Sequence, residues 1–453
     1  MSSSVKPGSS GPLKPNDLEA HFMPFTAQRQ FKRKPRMLTS AKGMYYSSDD
    51  GRQIMDASAG MWCVNAGHAH PKIVAAIQKQ AAELDYAPNF SFGHPVSFKA
   101  ASLLCAEMPS DIDHVFFSNS GSEAVDTAIK IAIAYQRARG RGTKTRIIGR
   151  ERGYHGVNIA GISVGGLGYN RQVFSGALMQ GVDHIHHTYN LSEQAFSRLQ
   201  PEWGAHLADD LERRILLHDA ENIAAVIIEP VPGSTGVLPP PKGYLEKISA
   251  ICTKYDILLI FDEVITAWGR LGRATAAEYF NVMPDIITSA KGINNATVPL
   301  GATFIRRSIY DAFMRGGEYG IEFMHGYTYS GHPLACAAAL ATLEVYKEEK
   351  LFERAANLEK KWSEALHSLK DAPHVVDIRT IGLMGAVEFA PGSRNPPQEM
   401  SRAMEVFDKM FFEQDCVLRF TGNVIAMSPP LIISESQIDE IVAKLRKALA
   451  TVK

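Results

Sequence analysis

The sequence predicts an α/β fold, with a mostly parallel central sheet in a large domain and a smaller α+β domain attached. Two observations predict it. Between about residue 70 and residue 330, short apolar runs alternate with helical patterns, as strands do when helices carry the chain back across a sheet. After Pro333 the rhythm changes to long helical patterns interrupted by two strand-like runs.

The strands of the large domain are read at 114–117, 146–149, 224–228, 257–261, 285–288 and 301–305. Among the intervening helices, 121–136 places Ala124, Ala128, Ile131 and Tyr135 at amphipathic spacing. The later part reads as helices at 335–349, 352–369 and 437–449, with strands at 375–378 and 383–389. A Gly43-Met44-Tyr45-Tyr46 stretch and an Asp49-Asp50-Gly51 turn suggest a hairpin that joins the smaller domain. The expected layout is a mobile tail at 1–16, a joining segment at 17–69, the large domain at 70–332 and the small domain at 333–453.

The tail is rich in Ser, Gly, Pro and Lys and lacks the apolar stretch of a secretory signal. The most apolar later stretch, Leu334 to Leu343, ends at Glu344, well short of the roughly twenty residues that span a bilayer. Lys plus Arg and Asp plus Glu both number 48, so no global field favours nucleic acid or an anionic membrane. Five dispersed cysteines, without a Cys-x-x-Cys pair, point to a reducing cytoplasm rather than a disulfide framework or a zinc site. The run His184-Ile185-His186-His187 lacks a carboxylate or cysteine at ligand spacing and reads as a surface or interface loop, not a metal site. The charged stretch from Leu207 to Leu217 reads as a solvated helix face.

The chemistry concentrates at strand ends, where ligands bind in such sheets. Lys291 follows the apolar run 285–290, and Asp262 closes another, 257–261. Two buried ions need partners. They can pair with each other, or they can hold pyridoxal phosphate (PLP), the lysine by a Schiff base and the aspartate by keeping the pyridine nitrogen protonated. Ser118-Asn119-Ser120-Gly121-Ser122-Glu123, between a strand and a helix, offers unpaired N–H groups and a positive dipole end to a phosphate. Tyr154, in Gly153-Tyr154-His155-Gly156, stands where a ring can stack on a flat heterocycle. Glu229-Pro230 and Asp262-Glu263-Val264 end two further strands at the same edge.

From about Leu38 to the C-terminus these motifs, with Ala290-Lys291-Gly292, resemble the class III aminotransferases. The resemblance implies PLP fold type I and pyridoxal 5'-phosphate as cofactor. It implies that Lys291 and Asp262 are catalytic, and that Ser120, Gly121, Ser122, Tyr154, His155, Glu229 and Val264 surround the cofactor. It implies also that Thr328 reaches the phosphate of a neighbouring subunit, so that a homodimer shares its sites; whether dimers pair into tetramers stays open. The segments 60–68, 92–95 and 325–330 most resemble the β-alanine:pyruvate and amine:pyruvate enzymes. Arg419 matches their substrate-binding arginine and would grip a carboxylate, with Trp62, Tyr154, Phe25 and Phe90 as apolar walls, the two phenylalanines coming from the partner.

The implied activity is ping-pong transfer of an amino group from an ω-amino acid or primary amine to pyruvate. Transfer to 2-oxoglutarate, as in 4-aminobutyrate or ornithine aminotransferases, a PLP aminomutase or decarboxylase, and a catalytically silent PLP-binding protein are the alternatives. Two departures stand out. Trp268, in the segment 265–272, and Asn294-Asn295, after Lys291, replace residues that are usual in relatives, which leaves the packing under the lysine to be established.

Overall fold

The computed structural model describes residues 18–109, 111–392, 396 and 398–452, so the tail expected at 1–16 lies outside the described residues. Seven strands form the central sheet, in the spatial order Ile112–Ser118, Gly301–Arg306, Ile286–Ser289, Leu258–Asp262, Ile223–Ile228, Arg146–Arg150 and Val182–Ile185. The last five run parallel to one another. Every residue of Ile223–Ile228 is buried, as expected for a strand covered on both faces.

Gly301–Arg306 departs from the expected parallel run and lies antiparallel to both neighbours. The link from Ser289 to Gly301 contains only the 3-10 turn Lys291–Asn294, and a parallel return needs a longer crossover. The strand therefore starts, rather than ends, at the edge where its parallel neighbours finish. Gly301 has no room for a side chain there, since a Cβ would come 2.2 Å from the Ser120 carbonyl oxygen and 2.5 Å from Ser118 Oγ.

The histidine run is corrected by the structure. Its first half belongs to the edge strand Val182–Ile185, whose four residues are too short to announce themselves by periodicity. The helix expected beside it is Asp209–His218, and its charged face is incomplete. Asp210 turns inward, is buried and accepts the His186 N–H at 3.0 Å.

Two four-stranded sheets flank the site. One joins Val375–Ile381, Met384–Phe389, Val424–Met427 and Arg419–Thr421, all antiparallel. The other joins Leu38–Lys42, Tyr45–Ser48 and Gln53–Asp56, and takes Cys416–Val417 from far along the chain as a parallel edge partner. Helices Leu351–His367, Arg402–Glu413 and Glu435–Leu449 accompany these sheets.

Arg270 ties these parts together. It is fully buried, and its guanidinium donates to the Leu383 and Pro429 carbonyls at 3.3 and 2.6 Å and to Asn65 Oδ1 at 2.5 Å. Burial lowers its pKa to about 10, so it stays charged at neutral pH. Replacing it with Met strands three buried acceptors at a cost of roughly 1–3 kcal/mol each. Arg270→Met is therefore expected to lower unfolding free energy by at least about 3 kcal/mol in a urea titration; a change within experimental error would show that the three segments are held by packing alone.

Candidate active site

The carboxyl ends of the parallel strands converge on one cavity. It is lined by Gly121, Ser122, Tyr154, His155, Gly156, Glu229, Asp262, Val264, Ile265, Ala290 and Lys291. Each comes from a strand end or the loop after it, because the alternation of strand and helix brings every such end to the same edge.

The phosphate-like corner is built by the start of helix Gly121–Ala138. Ser120 is its N-cap and spends its hydroxyl accepting the Glu123 N–H at 3.2 Å, so this residue does not line the cavity. Gly121 and Ser122 do. Ser122 Oγ accepts the Val157 N–H at 3.1 Å, which leaves its own proton free to donate. A Cβ on Gly121 would come 2.9 Å from Val264 Cγ1, and one on Gly156 would come 2.4 Å from Ser122 Oγ; larger residues would fill the corner.

Asp262 is fixed from three sides. His155 Nδ1 lies 2.7 Å from Oδ2, while Thr288 Oγ1 and the Val264 N–H donate to Oδ1 at 3.1 and 3.2 Å. His155 Nε2 is buried without a partner. Glu229 accepts the Tyr154 N–H at 2.8 Å, which holds the tyrosine loop to this edge. Burial, with Asp262 nearby, pushes the Glu229 carboxyl up to about 7.

Lys291 lies part-buried at the mouth of this arrangement, in left-handed backbone with φ +53°. Burial lowers its amine's pKa, against the opposing fields of Cys63 and Asp262. Its Nζ stands 5.9 Å from the centre of the Trp62 ring, and the Arg419 guanidinium stands 5.2 Å from the same ring. Trp62 thus stands near both basic groups. No carboxylate pairs with Arg419 among the described residues, and its Nε is buried without a partner. Burial lowers its pKa, with Tyr154 opposing.

The two departures from the usual motif now have a place. Trp268 is buried beneath the lysine, its indole N–H donating to Ser289 Oγ at 2.7 Å and its carbonyl accepting Asn65 Nδ2 at 2.8 Å. Asn295 accepts the Ala66 N–H at 2.8 Å and donates to the Gly67 carbonyl at 2.9 Å, clamping the two loops together. Asn294 closes its own turn on the Val298 carbonyl at 2.6 Å. Sequence reasoning did not single out Asn65, Arg270 or Asn295 as supports, because their partners are remote along the chain.

Six of the expected residues, Ser120, Trp62, Arg419, Phe25, Phe90 and Thr328, are not among those lining the cavity. Phe25 and Phe90 are 76% and 56% exposed, and Thr328 is exposed on the segment after Gly326. Phe90 instead lines a second hollow with Phe92, Phe98, Phe117 and His325.

The fold and cavity agree with comparisons to known proteins. The profile of the family Aminotransferase class-III matches residues 26–449, and the chain belongs to that family. It is 59% identical to the omega-aminotransferase of Caulobacter vibrioides over 96% of this chain and 98% of the relative. It is 44% identical to the beta-alanine–pyruvate aminotransferase of Pseudomonas aeruginosa, over 96% of each chain. Among solved structures, an omega transaminase from Pseudomonas jessenii in complex with PMP superposes with a TM-score of 0.89 at 32% identity, covering 97% of this chain and 98% of the other. Class III aminotransferases use PLP.

The raised Glu229 carboxyl has a thermodynamic consequence. The folded chain holds this proton between about 4.5 and about 7, where the unfolded chain has released it. The stability it adds is complete below about pH 4.5 and is lost as pH rises through about 7. Glu263 acts in the same direction. Glu229→Gln should thus shallow, without abolishing, the fall in melting temperature of the cofactor-free protein from about pH 5 to about pH 8; an unchanged slope would mean that Glu229 ionises freely in the folded chain.

Proposed function

We propose that this protein transfers an amino group from an ω-amino acid of the β-alanine type, or from a primary amine, to pyruvate by a ping-pong cycle. The observation that carries this reading is Arg419: a half-buried guanidinium beside Trp62 with no carboxylate paired to it among the described residues. A buried cation without a partner is costly, and a substrate carboxylate would relieve that cost through two parallel hydrogen bonds. One such group suits an acceptor with one carboxylate. The name of the Pseudomonas aeruginosa relative supports the same substrates, and that of the Caulobacter relative supports an ω-amino donor.

The cavity fits PLP: glycines where a side chain would fill the phosphate corner, an anchored carboxylate, and an amine of lowered pKa. When bound, PLP supplies an aldehyde that captures amines and a ring that accepts electrons as the Cα–H bond breaks. Gly121 and Ser122 would hold the phosphate, with the positive end of their helix behind it. Asp262, aligned by His155 and Thr288, would hold a proton on the pyridine nitrogen. Tyr154 and Val264 would restrain the ring. Lys291, whose amine has its pKa lowered by burial, would bind the aldehyde carbon covalently and then carry the proton removed from Cα. Glu229 fixes the Tyr154 loop through its N–H.

The exposed Phe25, Phe90 and Thr328 fit a homodimer in which each subunit completes its partner's site, with Thr328 reaching the phosphate and the two phenylalanines closing the substrate pocket. All five cysteines are free, which suits a reducing cytoplasm. Among the described residues no helix is long and apolar enough to cross a membrane.

Two experiments test this function. Lys291→Ala should lower turnover by roughly three orders of magnitude or more and yield no cofactor-bearing peptide after borohydride reduction; reduced cofactor on another lysine would displace Lys291 from the role. The second follows each half-reaction separately by stopped-flow absorbance. Pyruvate should be a better acceptor than 2-oxoglutarate, and Arg419→Ala should lower kcat/KM for pyruvate by about thirty-fold or more, the loss of one charge-assisted pair. The half-reaction with isopropylamine, which has no carboxylate, should change little. Equal losses in both half-reactions, or a preference for 2-oxoglutarate, would overturn the substrate assignment.

A further inference from the structure

The turn that carries Trp62 is strained. Within Asp56-Ala57-Ser58-Ala59-Gly60-Met61-Trp62, three residues have left-handed φ: Ala59 at +47°, Gly60 at +66° and Trp62 at +58°. Two of them are not glycine, and such a backbone persists only where its surroundings hold it.

What holds it is one carboxylate. Asp56 has no exposed surface, and both its oxygens are engaged: Oδ1 accepts the Ser58 N–H at 2.8 Å and the Ser58 hydroxyl at 3.0 Å, while Oδ2 accepts the Gly60 N–H at 2.6 Å and lies 2.9 Å from His68 Nε2. The His68 ring is backed in turn by Tyr46, at 4.2 Å between centroids.

The same turn is bolted to the strands that present Arg419. Asp56 pairs in register with Val417, two residues before the arginine, and the Ala57 N–H donates to the Val417 carbonyl at 2.8 Å. On the other side, the Ser428 N–H reaches the Ala57 carbonyl at 2.8 Å, and Ser428 Oγ donates to the Ser58 carbonyl at 3.1 Å. Ser428 follows the strand whose Ala426 pairs with Arg419.

We propose that Asp56 is a positioning residue for substrate carboxylates: it holds the strained turn so that the Trp62 ring lies against the Arg419 guanidinium and aims it into the cavity. The proposal rests on the reading of Arg419 as the carboxylate receptor. Asp56 touches neither substrate nor cofactor. Its effect is conveyed entirely through the Trp62 contact and the shared strand register.

The test replaces Asp56 with Asn in the holoenzyme. The amide keeps the volume but puts an NH2 group where an oxygen accepted a backbone N–H. A misplaced positioning element costs on the order of ten-fold to a hundred-fold, and here that loss should fall on pyruvate kcat/KM, mainly through KM. The isopropylamine half-reaction should change by less than about three-fold, within the scatter of remote substitutions. In the double variant Asp56→Asn/Arg419→Ala, pyruvate should lose no more than in Arg419→Ala alone, because residues acting through one contact are non-additive.

Equal losses in both half-reactions, or additive losses in the double variant, would reduce Asp56 to a structural role. If Arg419→Ala is selective for pyruvate and Asp56→Asn is not, only the positioning role falls. If Arg419→Ala is not selective, the carboxylate reading falls and takes this one with it. Should Asp56→Asn not yield folded holoenzyme, Ser58→Ala removes one donor to the carboxylate and should show the same selectivity at about three-fold; no selectivity there would overturn the proposal.

Discussion

Keeping an amine in left-handed backbone at the end of a buried strand is the constraint on which the rest of this structure depends. Lys291 occupies that conformation, and buried groups on several sides hold the turn after it. The Tyr346 hydroxyl donates to the Gly292 carbonyl at 2.6 Å. A Cβ on Gly292 would lie 2.6 Å from Asn65 Nδ2 and 3.1 Å from Trp268 Cβ. Asn295 then locks the end of the turn to residues 66 and 67. A strained residue survives where its surroundings over-determine it, and here the surroundings are recruited from three stretches of chain, around residues 65–67, 268 and 346.

The electrostatics follow from this placement. Lys291 and Arg419 share one indole between them, and burial lowers the pKa of both. The acidic groups divide by their bonding. Asp262 accepts from two side chains and a backbone amide, whereas Glu229 is pushed toward its neutral form by burial and by Asp262.

Much of this was legible in the sequence, for reasons that can be named. Asp262 and Lys291 closed apolar runs, so strand termini and chemistry announced themselves together. Ser122 and Tyr154 followed runs of the same kind. The strands Cys416–Val417 and Arg419–Thr421 have two and three residues, too few for a period-two pattern. Val182–Ile185 was obscured by Asp183 and His184 within its four residues. Ser120 was assigned to the phosphate and stands as the helix N-cap, two roles that ask for the same residue type. Arg270, Asn65 and Asp56 support the site through partners more than one hundred residues away or through a turn's backbone, and neither leaves a local pattern. Trp268 was visible as a departure, yet its hydrogen bond to Ser289 could be found only in three dimensions.

The antiparallel strand also limits where this site can change over evolutionary time. Because Gly301 begins its strand at the functional edge and has no room for a Cβ, that stretch of the rim is bare backbone wedged against Ser118 and Ser120. A mutation there meets main chain rather than a yielding side chain. The backbone beside Gly121 and Ser122 is accordingly frozen, while Trp62 and Arg419 stand as side chains on short segments. Drift on those short segments need not disturb that backbone, so a lineage built on this scaffold can vary the surroundings of Trp62 and Arg419 while the glycine corner stays constant.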